Sequence, residues 1–191
     1  MKPTAEAGSR ERMLEAAIEL MRGSGLSGAG INEIVRASGA PKGSVYHFFP
    51  AGKQQLAGEA LAAYALRVRE FMDRALAGER PPSEKIRALF NAFARRVEEG
   101  GFRRSCAVGT VTLDLEPGMD ALREVLAAAF ADWVALIAAH LAFADRRRAV
   151  SFAGLVLSAI EGAYIRARAE RSSRPFKEAG AWLAELAQQQ A

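Results

Sequence analysis

The sequence predicts an all-α chain of about nine helices, with a pair of very short helices near the N-terminus and a larger helical part behind it. Three observations carry this. Apolar residues return at three- and four-residue steps from end to end, the spacing of one helix face. Breaks rich in Gly and Pro, at Gly23-Ser24-Gly25, Gly78-Glu79-Arg80-Pro81-Pro82 and Pro117-Gly118, cut that pattern into helix-sized lengths. The one strand-like run, Val108, Val111, Thr112 and Leu113, has no second strand pattern to pair with, so a short helix is expected there. No interval has the form of a βαβ unit, and neither the G-x-x-x-x-G-K-S/T phosphate loop nor a dinucleotide fingerprint occurs.

Taken in order, the first helix is expected to open at Ser9 and to carry Met13, Leu14, Ala17, Ile18 and Met21 on one face, with Arg12, Glu15, Glu19 and Arg22 between them. Two short apolar segments follow, Ile31, Ile34 and Val35, then Val45, Phe48 and Phe49. Ser38-Gly39-Ala40-Pro41 separates them, and Pro41 suits the first turn of the second helix, where its missing N–H does no harm. A long helix runs from about Ala51 to Ala77. The next opens at Ser83, carries Ile86, Leu89, Phe90, Phe93 and Val97, and closes at Gly100-Gly101. After the strand-like stretch from Arg104 to Leu115, three more helices are expected over about Met119 to Ala144, Arg146 to Arg171, and Phe176 to Gln190, the last started by Pro175. No internal repeat and no low-complexity tract interrupts them.

Composition bounds the possibilities. The chain has 191 residues, half of them apolar and a quarter charged, which suits a soluble chain with a real core. One cysteine, Cys106, rules out an internal disulfide, and with only two histidines it leaves no zinc site, so a reducing cytoplasm and no metal or cofactor are expected. The N-terminal MKPTAEAGSRERMLEAAIELM has no apolar stretch of signal-peptide or membrane-span length, so neither export nor insertion is expected. No Ser/His/Asp arrangement is spaced for catalysis, and His47 and His140 lie on separate helices. The net charge of +4 and pI near 9.6 permit an acidic partner without naming one.

The informative segment is Ile31 to Phe49: a short helix, a tight turn containing Gly39, and a second short helix. In a helix-turn-helix the first helix braces the second, which keeps one face free for the major groove. On a helix starting near Pro41, Val45, Phe48 and Phe49 turn to the core, leaving Lys42, Ser44, Tyr46 and His47 outward. Lys supplies a cation for phosphate or guanine, Ser and His can bond base edges, and Tyr offers a hydroxyl to phosphate. Lys53 adds a positive charge at the next helix N-terminus. The bland alternatives are a packed Tyr46 with its hydroxyl at the surface and a merely solvated His47; Arg36 reads as a solvated charge.

The stretch GINEIVRASGAPKGSVYHFFPAGKQQL, with MLEAAIELMRGSGLSG before it, closely resembles the DNA-binding domain of TetR-family transcriptional regulators. The order Ile34, Ala37, Gly39, Gly43, Tyr46, Phe48-Phe49-Pro50, Lys53 and Leu56 carries that resemblance. CAVGTVTLDLEP and AIEGAYIRARAERS look like the LmrA/YxaF-like branch of the family. The resemblance implies an operator-reading helix-turn-helix domain over residues 1–56, linked by the long helix to a ligand-binding and dimerisation domain over 57–191. The sequence differs from the family pattern at two places. Ala29-Gly30 stands where many members have a Thr or Ser pair, leaving Ser27 as the nearest hydroxyl for a phosphate, and one extra residue lies in Ala51-Gly52 before Lys53.

Candidate effector contacts in the larger part are Phe93, Trp133 and Tyr164, with Cys106, Thr110 and Glu161 as polar groups inside apolar stretches. Each aromatic also reads as plain core, and Cys106 as an inert buried thiol. Gly154, Ser158 and Gly162 recur every four residues, a smooth face for another backbone, in a partner subunit or within one subunit. With Phe176, Trp182 and Leu186 of the last helix they form the expected homodimer interface, a two-fold four-helix bundle. The implied function is a ligand-responsive repressor, released from a pseudo-palindromic DNA operator when a small molecule binds. The alternatives are an activator, or a helical small-molecule-binding or catalytic protein that keeps the fold without reading DNA.

Overall fold

The computed structural model describes the backbone of residues 5–141 and 143–189, with side chains from residue 8 onward. Among these, nine α-helices and no strand are found: α1 (Ala5–Ser24), α2 (Ile31–Ser38), α3 (Ser44–Phe48), α4 (Lys53–Leu76), α5 (Pro82–Glu99), α6 (Ala107–Thr112), α7 (Asp120–Leu141), α8 (Arg146–Glu170) and α9 (Arg174–Gln188). The strand-like run is indeed a helix, α6. Two starts differ most from expectation. α1 begins at Ala5, ahead of Ser9, and α3 begins at Ser44, because Pro41 to Gly43 are spent on the turn that precedes it. The expected end of the last helix at Gln190 lies outside the described residues.

The chain packs as two compact units. The first combines residues 1–65 with 106–129, and the second 66–105 with 130–191. The packing division therefore follows neither side of residue 56 alone, because α6 and the start of α7 pack with the N-terminal helices. In the first unit Met13, Ala17, Ile18 and Met21 of α1 are buried, as are Ile34, Val45, Phe49, Leu56 and Leu61, in a core from which water is excluded. The α6 hydroxyl of Thr110 donates to the Met21 carbonyl at 2.8 Å, fastening α6 to the end of α1.

In the second unit α5 lies against α9 and α8. Phe93 stacks on Phe176 with centroids 6.1 Å apart, Tyr164 meets Phe176 edge-on at 5.1 Å, and Phe71 meets Phe93 at 5.0 Å. α4 and α7 are tied by an ion pair, Arg69 with Asp132 at 3.1 Å, and by a hydrogen bond between His140 Nε2 and Asp73 Oδ1 at 2.7 Å. α7 and α8 are long and apolar enough to cross a membrane by length and composition, with mean hydropathy 1.6 and 1.3 over their most apolar windows. On α7, however, Asp132 and His140 fall within the helix and are paired with α4, as in a helix packed inside a water-facing protein.

A tight helix approach falls at Gly180 of α9. A Cβ built there would lie 2.5 Å from the Cβ of Phe90 on α5, an atom fixed to the backbone that cannot swing aside. Gly180→Ala is expected to lower stability by about 1–3 kcal/mol, the usual range for overpacking a core, as measured by thermal or urea unfolding. Arg171, the C-cap of α8, is held at φ 48° in the left-handed region. Arg171→Gly is expected to raise stability by about 1 kcal/mol in the same measurement by removing that strain.

Candidate nucleic-acid interface

The helix pair is fixed by its turn. α2 ends at Gly39, whose φ of 63° closes the helix in a left-handed conformation. Around it, the Ser38 hydroxyl donates to the Val35 carbonyl at 3.2 Å and accepts the Ala40 N–H at 3.3 Å, and the Ser38 carbonyl accepts Arg12 Nε from α1 at 3.1 Å. The chain then turns at Pro41, whose carbonyl accepts the Ser44 N–H at 3.0 Å and the Ser44 hydroxyl at 2.6 Å. From there α3 is held by Val45 and Phe49, both 0 % exposed. Phe48, expected in the core, is only half-buried; its ring packs edge-on against His47 and Phe49.

With those anchors set, the opposite face of α3 is turned to solvent. Tyr46 is 60 % exposed, which decides against a packed ring. Lys42 and His47 are exposed, and Ser44 is half-buried with its proton directed to Pro41 and its lone pairs left over. Lys53 is the first residue of α4, half-buried beside the turn. From Ile34 to Gly58 the chain carries no acidic residue, so this face is positive, and Arg36 is exposed at its edge. The helix pair thus brings five of the predicted residues, Lys42, Ser44, Tyr46, His47 and Lys53, to the α3 helix, the turn before it and the start of α4.

Ser27 stands apart from them. Its side chain is exposed, but its N–H donates to Asp114 Oδ2 at 3.0 Å. Gly30 is the N-cap of α2 with no side-chain cap, and a Cβ there would lie 2.2 Å from Glu33 Oε2. The Glu33 carboxylate is therefore folded over the helix start. The extra residue at Ala51-Gly52 is absorbed by Gly52, which takes φ 73°. Sequence reasoning missed Asp114, whose one legible signal is that it is the lone acid between Cys106 and Leu115.

The other candidates divide between the two units. Phe93, Trp133, Glu161 and Tyr164 lie in the second unit, while Cys106 and Thr110 lie in the first. Phe93, Trp133 and Tyr164 are buried, Phe93 and Tyr164 in the aromatic cluster with Phe176, and Glu161 is half-buried on α8. Cys106 is buried at the N-cap of α6, and Thr110 directs its hydroxyl to carbonyl oxygens of Met21, Cys106 and Ala107 at 2.8 to 3.1 Å. None of the six lines either of two hollows in the surface, one of about 190 Å³ beside Phe143 and one of about 390 Å³ beside Gln55 and Glu59.

On the C-terminal helices, Phe176 is a correction: it is 0 % exposed and packed within its own subunit, so it is not part of a surface for a partner. Among the described residues Gly154 and Gly162 have nothing within 4 Å of an added Cβ, so no close approach there uses them. Ser158 is exposed, Leu155 and Ile165 on the same helix are 51 % and 64 % exposed, and Trp182 and Leu186 are 70 % and 42 % exposed. Leu155, Ile165, Trp182 and Leu186 are each a large apolar side chain left open to solvent on α8 or α9.

A helical chain that anchors the second helix of a helix-turn-helix and turns its polar, cationic face outward is built as a DNA-reading protein. Residues 13–60 match the family of bacterial regulatory proteins named tetR, and residues 82–182 match the C-terminal domain of LmrA/YxaF-like transcriptional regulators. The chain belongs to the TetR family of bacterial transcriptional regulators, with an LmrA/YxaF-like C-terminal domain. It is 31 % identical to the uncharacterized HTH-type transcriptional regulator YxaF of Bacillus subtilis (strain 168), over 91 % of this chain and 92 % of that protein. Its fold is similar to the regulatory protein TetR from Rhodobacter sphaeroides, with TM-score 0.84 and 24 % identity over 93 % of this chain and 97 % of that one. It is also similar to a cysteine mutant of CifR, a TetR family regulator solved with 26-bp double-strand operator DNA, with TM-score 0.79 and 19 % identity over 92 % and 94 % of the chains.

The glycines of the motif separate by conformation. Gly39→Ala is expected to cost about 1–2 kcal/mol in thermal unfolding, because the left-handed φ penalises any Cβ even though open space surrounds it. Gly43→Ala, at φ −67° with equal space, is expected to leave stability unchanged or raised by about 0.4–1 kcal/mol.

Proposed function

We propose that this regulator is a cytoplasmic, homodimeric, effector-responsive repressor that reads a pseudo-palindromic operator with α3 of each subunit. The observation that carries the reading is the division of α3 into two faces, Val45 and Phe49 locked in the core and Lys42, Tyr46 and His47 turned outward. In the major groove, His47 and Ser44 meet base edges while Lys42, Tyr46 and Lys53 bond phosphates, the contacts that set register. Ser27 is a further phosphate contact from the loop before α2. Two subunits presenting α3 to successive major grooves require half-sites about 34–36 Å apart or a multiple of that.

The dimer is formed by the outer faces of α8 and α9, through Gly154, Leu155, Ser158, Gly162, Trp182 and Leu186. Their exposure in the single chain supports this, since packing them against a two-fold mate buries apolar surface and lets small residues bring the backbones close. The effector is a small molecule with an apolar body, taken up in the second unit among Phe93, Trp133, Glu161 and Tyr164. It releases DNA by favouring a dimer state whose two α3 helices no longer match the operator spacing.

Two measurements test this. Tyr46→Ala with Lys53→Ala is expected to weaken operator binding in a mobility shift and to lower the salt slope of log affinity by about one unit for each phosphate left unbonded. An unchanged slope would remove both residues from the interface. Trp182→Arg is expected to give a monomer in sedimentation velocity and to weaken operator binding by about tenfold or more, since two half-sites are then bound separately. A variant that remains dimeric with full affinity places the interface elsewhere. A small-molecule screen by thermal shift, coupled to DNA release, identifies the effector, because a ligand that binds only the native chain raises its unfolding temperature.

A further inference from the structure

α3 has no length of its own with which to hold an angle, and the segment that leaves it carries a chain of polar contacts the DNA reading does not use. Arg10 of α1 pairs with Glu59 Oε2 on α4. The other Glu59 oxygen accepts Gln55 Nε2 at 2.9 Å, and Gln55 Oε1 accepts the N–H of Ala51 at 2.9 Å in the linker between α3 and α4. The same Arg10 guanidinium lies 5.5 Å above the ring of Phe49, the C-cap of α3. Gly52 N–H donates to the Phe49 carbonyl at 2.8 Å, closing the turn. One side chain of α1 therefore touches the end of α3 and, through two side chains of α4, the linker that follows it.

We propose that Arg10, Gln55 and Glu59 are positioning residues for DNA reading: they aim α3 and set Lys53 relative to it, without touching DNA themselves. The physical ground is how few constraints act on this linker. Its extra residue is taken up by Gly52 at φ 73°, a conformation glycine leaves easily, so the backbone alone does not fix the turn. Gln55 sits three residues after Gly52, where a side chain can reach back over a helix start, and here it reaches past Gly52 to Ala51. Glu59 holds Gln55 in that rotamer, and Arg10 holds Glu59. Arg10 and Glu59 are 42 % and 33 % exposed, which leaves the pair accessible to water, so it adds little to global stability while still choosing a geometry.

The inference rests on α3 being the DNA-reading helix, so Tyr46→Ala with Lys53→Ala serves as a control. DNA sites are first selected by the wild-type protein from a random-sequence pool. Affinity is then measured by fluorescence anisotropy for a selected site and for a scrambled duplex of equal length, over a range of salt. Arg10→Gln and Glu59→Gln are each expected to lose about tenfold for the selected site, the size of one coupled pair, while the scrambled duplex changes less than about twofold. The salt slope should stay at the wild-type value, since no phosphate contact is removed. The exchanged pair, Arg10→Glu with Glu59→Arg, should recover most of the loss; Glu59 borders the hollow of about 390 Å³, which gives the longer side chain room. If both single variants bind the selected site as wild type, or reduce the salt slope as removal of a phosphate bond would, the positioning role is overturned. If the Tyr46 and Lys53 control alone is silent, the assignment of α3 falls instead.

Discussion

A helix of five residues has no stability of its own in water, because nucleating it fixes more backbone than its few hydrogen bonds return. Everything about the helix-turn-helix of this regulator depends on how α3 is nevertheless held. Val45 and Phe49 are driven into the core of the first unit, where Arg10 of α1 lies over the Phe49 ring. Turn chemistry supplies the rest: a left-handed glycine ends α2, and Pro41 receives both the N–H and the hydroxyl of Ser44. With two anchors four residues apart, Tyr46 and His47 between them are left facing outward, while Phe48 is half-buried. The outward face is thus a by-product of where the apolar residues are.

This explains what is legible in the sequence. Helix periodicity, the Gly39 stop and the separation of Val45 from Phe49 are local signals, and they predict the helix pair and its outward residues. The start of α3 is misplaced by the same signals because Pro41 is as compatible with a turn as with the first turn of a helix. Periodicity also assigns Phe48 to the core, but a helix this short has room for only two anchors. Asp114 and Arg10 cannot be found in this way: their partners, Ser27 and Glu59, are 87 and 49 residues away. Side chains that bond across such distances carry no local pattern.

Glycine illustrates the same limit from the other side. Gly154 and Gly162 look in the sequence like the helix face built for close approach, yet among the described residues no other part of the chain lies within 4 Å of a Cβ built on either. The approach that needs a glycine is at Gly180, against Phe90, where the spacing of small residues gives no signal. A glycine marks contact only once its neighbour is known. For Gly154 and Gly162 the structure shows only open space, on a helix whose Leu155 and Ile165 are themselves exposed.

The segment after residue 105 shows why a motif boundary and a mechanical boundary differ. Thr110 stands out in the sequence because a hydroxyl in an apolar run has to be satisfied, and a bound ligand is one way to satisfy it. The fold uses another: the hydroxyl donates to the last turn of α1, and Asp114 receives the N–H of Ser27 in the loop before α2. Both bonds fall in the unit that carries α3. A polar group within an apolar helix therefore points first to the nearest uncapped backbone, here the carbonyl end of α1 and the loop that leaves it. Moving α6 and the turn that follows it would break both hydrogen bonds, and restoring them requires α1 and its loop to move as well.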